Sequence, residues 1–529
     1  MPTLEWIGKE KVVNHHLEVP YRVLERKYSF DENGQTEADN GSENMVIHGD
    51  NLEALKSLLP QYEGRVKCIY IDPPYNTGNE GWVYNDNVND PHIKEWLNKT
   101  VGKEGEDLSR HDKWLCMMYP RLKLLQKLLH PTDGSIFISI DENEIQNLKL
   151  ICNEIFGSNH HVATIAWQKR YSRENRGAIG DAHEYILVYA SDVETFKVIR
   201  HKVEFDENSA KVYKNPNNDP KGRWRAVPMT AQGYRPNQMY PITAPSGKVC
   251  YPPQGRCWST VESEYKKLLE AGRIYFGKNG DSQPSTIRYL SEVEGMIPWT
   301  WWPHEEVGHT DEAKKEIITI LGNADSFDTP KPTRLIKRIL QIATNPDDII
   351  LDSFAGSGTT AHAVLNMNKA DGGHRKFILV EMGDYADSIT AERVKRVIHG
   401  YGEGKNAVPG TGGNFSFYAL GEPLMNGDVL NENVGVDKIR EYVYFTDTKT
   451  PLPESSPEEP YLMGVHVNSA YYFYYEKQSV TTLNRQFLHS VKTKADAYVI
   501  YADLCTLSDT ELEKYHITFK KIPRDITKL

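Results

Sequence analysis

Short apolar runs of β-branched and aromatic residues alternate with helical repeats along two stretches of this chain. "MVIHGD" (45–50) and "VKCIYID" (66–72) are such runs, each closed by an acid. Between them, "NLEALKSLLPQY" (51–62) puts apolar residues at 52, 55, 58 and 59, the spacing of one helix face. A strand that is apolar throughout is one covered on both faces, so the three segments predict a β-α-β unit. The alternation continues with a helix at 112–130, a strand at 134–141, a helix at 142–157, and strands at 161–169 and 183–191. It resumes with a helix at 331–344, the strand "DIILDSF" (348–354), a glycine-bearing loop, a helix at 361–370, a strand at 376–382 and a helix at 386–400. Such alternation predicts an α/β fold, a doubly wound open parallel sheet with helices on both faces.

Between the two stretches the pattern fails. Residues 192–327 are rich in proline, glycine, tryptophan and basic side chains and read as an inserted domain. The expected division is a polar, irregular segment 1–44, one half of the sheet domain at 45–191, the insertion at 192–327, the other half at 328–400, and a C-terminal α+β accessory domain at 401–529. The chain of 529 residues carries a net charge of −11, which alone disfavours nucleic acid as a partner. Residues 211–290 depart from that average, with thirteen Lys/Arg against five Asp/Glu. A basic segment in an acidic protein is either an electrostatic footprint for a polyanion or a solvated loop-rich surface. "WTWWP" (299–303) reads as core packing, because tryptophans are mostly buried. The six cysteines show no metal-ligand spacing and no metal site is expected. The opening "MPTLEWIGKEKVV" lacks a signal-peptide pattern and no apolar run is long enough to span a bilayer, so a cytoplasmic protein without a membrane partner is expected.

Two local motifs carry chemistry. "FAGSGTT" (354–360) joins a strand to a helix, and Gly356 and Gly358 let backbone approach a ligand. Glu381 ends the next strand, 23 residues past Gly358, the spacing at which an acid reaches ribose hydroxyls in nucleotide sites. No Gly-Lys-[Ser/Thr] follows, so this is not a P-loop, and a purely structural turn is the competing reading. The second motif is "CIYIDPPYNTG" (68–78). Ligands of doubly wound sheets bind at the carboxyl ends of strands, where Asp72 stands. Pro73 and Pro74 fix the backbone so that a carbonyl lies beside the carboxylate. Two fixed acceptors suit an exocyclic amine with two N–H bonds, and Tyr75 offers a face for a stacked ring.

Asp72-Pro73-Pro74-Tyr75 followed far downstream by "FAGSGTT" resembles the DNA amino-methyltransferases of the β-type motif order. Within that class "DPPYNTG", "VIHGDNLEAL" and "SIFISIDENE" look like the adenine-specific Mod subunits of type III restriction–modification systems and their solitary relatives. The resemblance implies a circularly permuted Rossmann-like sheet, S-adenosylmethionine as methyl donor, and transfer to N6 of an adenine flipped out of duplex DNA. Asp72, Pro73, Pro74 and Tyr75 would be catalytic. Phe354, Ala355, Gly356, Ser357, Gly358 and Thr359 would line the cofactor, Glu381 its ribose and Asp50 its adenine amine. Lys331 and Thr333 fall where the family contacts the methionine moiety. The insertion falls where the family keeps its target-recognition domain, which makes Lys221, Arg223, Arg225, Arg235 and Arg256 candidate DNA contacts. Lys169, Arg170, Arg173 and Arg176 join them from the expected DNA channel. A homodimer and a separate restriction subunit are the protein partners implied. The rival readings are N4-cytosine methylation, a non-catalytic DNA-binding specificity subunit, and an RNA or small-molecule methyltransferase.

Overall fold

A computed structural model describes residues 3–77, 110–173, 178–204, 210–322, 327–404, 407–454 and 456–524. The chain divides into two compact units, residues 1–200 together with 299–529, and residues 201–298.

The larger unit is built on an eleven-stranded sheet. Its strands are β1 (Arg22–Asp31), β2 (Gly34–Thr36), β3 (Met45–His48), β4 (Cys68–Ile71), β5 (Ser135–Ile140), β6 (His161–Gln168), β7 (His183–Ala190), β8 (Trp301–Trp302), β9 (Ile349–Asp352), β10 (Lys376–Glu381) and β11 (Phe415–Pro423). They lie in the order β8-β6-β7-β5-β4-β9-β10-β3-β11-β1-β2. The six strands from β5 to β11 in that order run parallel. The helices are α1 (Asn51–Tyr62), α2 (Arg110–Leu128), α3 (Ile145–Ile155), α4 (Thr310–Leu321), α5 (Thr333–Ala343), α6 (Thr359–Asp371) and α7 (Glu392–His399). The apolar faces of α1, α2 and α3 pack with β3, β4 and β5 into one continuous core that includes Leu55, Leu58, Ile69, Ile71, Trp114 and Ile138.

The topology puts the functional motifs together. β9 and β10 come late in sequence yet insert between β4 and β3, so the strand ahead of "FAGSGTT" is hydrogen-bonded to the strand ahead of Asp72. Acids follow or end five adjacent strands on the same edge of the sheet: Asp141, Asp72, Asp352, Glu381 and Asp50.

Three expectations need correction. The sheet is mixed rather than parallel, because β7 runs antiparallel to both β5 and β6. No helix stands between β6 and β7 among the described residues, and strands joined without a crossover pair antiparallel. Residues 1–44 are not irregular. They form two single-turn helices, Lys9–Val12 and His15–Glu18, and the ten-residue β1, which pairs antiparallel with β11. Only Trp302 of "WTWWP" is core; Trp299 and Trp301 are exposed, and β8 extends the sheet as an edge strand beside β6.

Beyond β11, helix α8 (Val436–Thr448) and a four-stranded sheet follow. The sheet holds β12 (Leu462–His466), β13 (Ser469–Phe473), β14 (Ala497–Ala502) and β15 (Ile517–Lys521), with β13, β14 and β15 parallel. Among the described residues no helix is long and apolar enough to cross a membrane.

The smaller unit, residues 201–298, is narrower than the composition break at 192–327, since α4 belongs to the larger unit and packs on α7. Its strands are short antiparallel pairs, chiefly Trp224–Pro228 with Ser285–Tyr289 and Thr230–Gln232 with Arg256–Trp258. Met229, Tyr240, Ile242, Cys250, Trp258, Tyr265 and Phe276 form its core.

Candidate active site

The turn after β4 is locked from both sides. Trp114 Nε1 on α2 donates to the Pro74 carbonyl at 2.6 Å. Asn76 takes a left-handed conformation, φ 58°, which a short amide side chain tolerates. Its side chain donates to Glu144 and, at 3.1 Å, to the Arg110 carbonyl, while Arg110 Nη1 donates to the Asn76 carbonyl at 3.0 Å. Glu144 is fully buried and also faces His111 and Asn147. Tyr75 is thereby held with its ring buried in the core and its hydroxyl toward β7.

Asp72 stands at the centre of a network of charges. Both its oxygens accept from Lys331 Nζ, at 2.8 and 2.7 Å. The same ammonium lies 3.8 Å from Glu184 Oε2 on β7. Tyr75 donates its hydroxyl to that oxygen at 3.0 Å, and Lys169 Nζ reaches Glu184 Oε1 at 3.3 Å and Asp181 at 2.7 Å. Burial pushes the Asp72 carboxyl above its usual range, and Lys331 is the main charge working against that. Burial also works to neutralise Lys331, but Asp72 and Glu184 outweigh it and hold the ammonium charged.

The second motif is anchored as firmly. Asp352 ends β9, accepts from Phe354 N at 3.1 Å and from the Thr360 hydroxyl, and is pushed up to about 7 by burial. Glu381 accepts from Gly356 N at 2.7 Å and from Gly383 N at 2.8 Å, so its carboxylate shapes the loop directly. Behind the loop lies Arg393 of α7, fully buried. It donates to Ser357 Oγ at 2.9 Å, Thr359 Oγ1 at 2.8 Å, Glu316 Oε2 at 3.1 Å and Thr333 Oγ1 at 3.2 Å, and stands 3.2 Å from His362 Nδ1. Burial and then the Arg393 charge keep His362 neutral. Gly358 has φ 78°, and a Cβ there would stand 3.0 Å from the Thr390 carbonyl oxygen. Gly358→Ala is therefore expected to cost about 1–2 kcal/mol from the left-handed backbone alone. Urea unfolding would show this as a lower midpoint, and an unchanged midpoint would contradict it.

Both motifs open into one cavity of about 410 Å3, a volume suited to a cofactor-sized ligand. Asp72, Pro73 and Tyr75 line it together with Trp167, Lys331 and Glu184, and so do Phe354, Ala355, Gly356, Ser357 and Thr359. The chain matches the N6/N4 DNA methylase family over residues 66–392, more than half its length.

It belongs to that family.

Among curated relatives, the Mod subunit of the type III restriction–modification enzyme StyLTI from Salmonella typhimurium is 38% identical over 387 residues, 67% of this chain and 57% of the relative. The EcoPI Mod subunit from Escherichia phage P1 is 34% identical over 423 residues, 72% of this chain and 63% of the relative. The type II methyltransferase M.KpnI from Klebsiella pneumoniae is 31% identical over 377 residues, 67% of this chain and 84% of the relative. The chain thus spans about three fifths of the length of the two Mod subunits.

In this methylase fold, several candidates fall elsewhere than at the cavity wall. Asp50 caps α1 through Leu52 N, at 2.8 Å, and pairs with the buried Arg121 at 3.2 Å; it does not line the cavity. Thr333 sits in the Arg393 cluster behind the loop, with its hydroxyl on Glu316 at 2.6 Å. Lys169 and Arg170 do line the cavity, and Arg173 is exposed close by in sequence. Arg176 lies outside the described residues. In the smaller unit Lys221, Arg223, Arg225 and Arg235 are exposed. The Arg256 guanidinium is turned inward onto Thr230, 3.0 Å to its hydroxyl and 3.1 Å to its carbonyl. Arg225 stands directly across the strand pair from Arg288, both exposed. Like charges in that position repel unless an anion meets them.

Sequence reasoning passed over Glu184, Trp167, Asp352 and Arg393. The signal for two of them was present. Asp352 repeats the strand-end acid seen at Asp72, and Glu184 is an acid set into the otherwise apolar "HEYILVYAS". Trp167 and Arg393 had no local signal, since only the fold shows what they face.

Proposed function

We propose that this chain is a site-specific DNA methyltransferase that moves a methyl group from S-adenosylmethionine to N6 of an adenine flipped out of duplex DNA. The observation that carries the reading is the shared cavity, which exposes the Asp72 acceptor and the glycine-bearing loop to one ligand space.

The donor set fits the cofactor. Gly356 has φ 51°, so it adopts a backbone that lets the loop approach a ligand closely, and its N–H is fixed by Glu381. Phe354, Ala355, Ser357 and Thr359 would hold the cofactor's methionine and ribose end, with Glu381 shaping the loop beneath. When bound, S-adenosylmethionine would supply an electrophilic methyl: the S–C bond is exchanged for an N–C bond, the neutral thioether leaves, and the proton lost from nitrogen passes to solvent. The chain's part is positioning and electrostatics. Asp72 and the Pro73 carbonyl accept the two N–H bonds of the amine, which draws its lone pair out of conjugation with the ring. Tyr75 stacks on the base, and Trp167 closes the cavity beyond it. No described group of three His, Cys, Asp or Glu is placed to hold a metal, and this reading assigns a metal no part.

The smaller unit is proposed to contact DNA, with the Arg225–Arg288 pair meeting phosphate. From the likeness to Mod subunits we also propose a second copy of the chain and a separate restriction subunit as partners. The test uses tritiated S-adenosylmethionine with unmethylated duplex DNA and, separately, duplex RNA. Label in the DNA and not the RNA is expected; label confined to RNA, or none in either, would overturn the reading.

A further inference from the structure

The Lys331 ammonium occupies the position that the reading above gives to the substrate. Its N–H bonds meet both Asp72 oxygens, at 2.8 and 2.7 Å. It also lies 4.9 Å from the centre of the Tyr75 ring and 6.0 Å from that of Trp167. A nitrogen donor bonded to Asp72 beside an aromatic face is the chemistry required of the target amine. The ammonium stands over the Tyr75 face on which the base would stack, so the two compete for one space. A second acceptor is at hand, because Glu184 Oε2 is only 3.8 Å from Lys331 Nζ.

We propose that Lys331 is a place-holder for the target amine: it covers the Asp72 oxygens and the Tyr75 face while no base is present, and moves onto Glu184 when one enters. The proposal rests on the reading that Asp72 receives the amine, and it makes Lys331 a positioning residue for the catalytic carboxylate rather than a cofactor contact.

A place-holder is needed because a buried carboxylate left alone takes up a proton and loses an acceptor. The groups facing Asp72 show how much depends on one cation. Tyr75 and Tyr70 are neutral phenols raised well above their ordinary range by burial. Glu184 and Asp352 are acids, and they push Asp72 toward protonation. Lys169 is committed to Glu184 and Asp181. Lys331 is the main group that opposes protonation of Asp72, aided by a hydrogen bond from Tyr75. Because Lys169 and the Tyr75 hydroxyl already hold Glu184 in place, the ammonium has a fixed landing site within one side-chain rotation.

Removing the Lys331 charge raises the Asp72 pKa, and the reaction needs the carboxylate, so activity is lost on the acid side and regained as pH rises. Turnover and KM for DNA are measured between about pH 6 and pH 10 for wild type, Lys331→Met and Lys331→Arg, with S-adenosylmethionine affinity measured separately. Lys331→Met is expected to move the acid limb up by at least about one pH unit, a loss that approaches tenfold at pH values below both limbs and that alkali restores. Its cofactor affinity should stay within about twofold of wild type, and Lys331→Arg should return the limb to its wild-type place. Glu184→Gln keeps the Asp72 pair and removes the landing charge, so its KM for DNA should rise about tenfold, while the acid limb moves to lower pH because a charge that favours Asp72 protonation is gone. An unshifted limb in Lys331→Met, or weaker cofactor binding as its only defect, would overturn the proposal and put Lys331 on the cofactor. Failure of the underlying reading is distinct, because then the wild type itself methylates no DNA.

Discussion

Asp72→Asn is expected to slow methyl transfer by on the order of a thousandfold, the size of effect seen when one group aimed at a reacting centre is lost. Asparagine keeps the shape of the side chain but replaces one acceptor oxygen with an NH2 donor that repels the incoming amine. The charge goes as well, so Lys331 loses its bidentate partner and keeps only Glu184 nearby. The cofactor loop should not notice. Its contacts run to Glu381, Asp352, Thr390 and Arg393, none of which bonds Asp72. The defect should therefore appear in the single-turnover rate, with S-adenosylmethionine affinity within about threefold of wild type, a change below 1 kcal/mol. A variant transferring within about tenfold of the wild-type rate would mean that another group receives the amine.

Arg393→Met is expected to have the largest effect on stability, about 2–4 kcal/mol, since it strips a buried polar cluster of its only described cation. Methionine fills the space of the stem. The hydroxyls of Ser357, Thr359 and Thr333 lose their common donor, and Glu316 loses its ion pair. Glu316 is about a quarter exposed and can turn to water, which keeps the cost below that of a fully buried pair. Ser357 and Thr359 belong to the cofactor loop, so cofactor affinity should fall with stability. Urea unfolding and cofactor titration check the two halves; a variant within about 0.5 kcal/mol of wild type would show the cluster to be passive.

How much of this was legible in the sequence depends on whether the chemistry is contiguous. Asp72 and Tyr75 stand in one turn, and Phe354 to Thr359 in one loop, so their residue types and order carry the chemistry unaided. The mixed sheet was not legible. "HVATIAWQK" and "HEYILVYAS" read as strands, but their direction is set by the connection between them, and that direction brings Glu184 and Trp167 to Asp72. β1 was missed because "RVLERKYSFD" mixes charges into a half-exposed strand, and its partner β11 lies nearly four hundred residues away. Lys331 and Asp50 show a different limit. Each was found as a candidate, but a motif cannot say which neighbour a charge will meet. The fold sets Lys331 on Asp72, and it sets Asp50 on the N-terminus of α1, where backbone N–H groups and Arg121 compete for it.

The most direct test is the identity of the modified nucleoside. Unmethylated duplex DNA is incubated with the protein and S-adenosylmethionine, digested to nucleosides and resolved by mass spectrometry. The account predicts N6-methyladenine as the product, in an amount that saturates when the recognition sites are filled. N4-methylcytosine in its place would keep the amine chemistry of the site and contradict the assignment of the base. No methylated nucleoside, from a protein that still binds the cofactor, would contradict the account of the cavity itself.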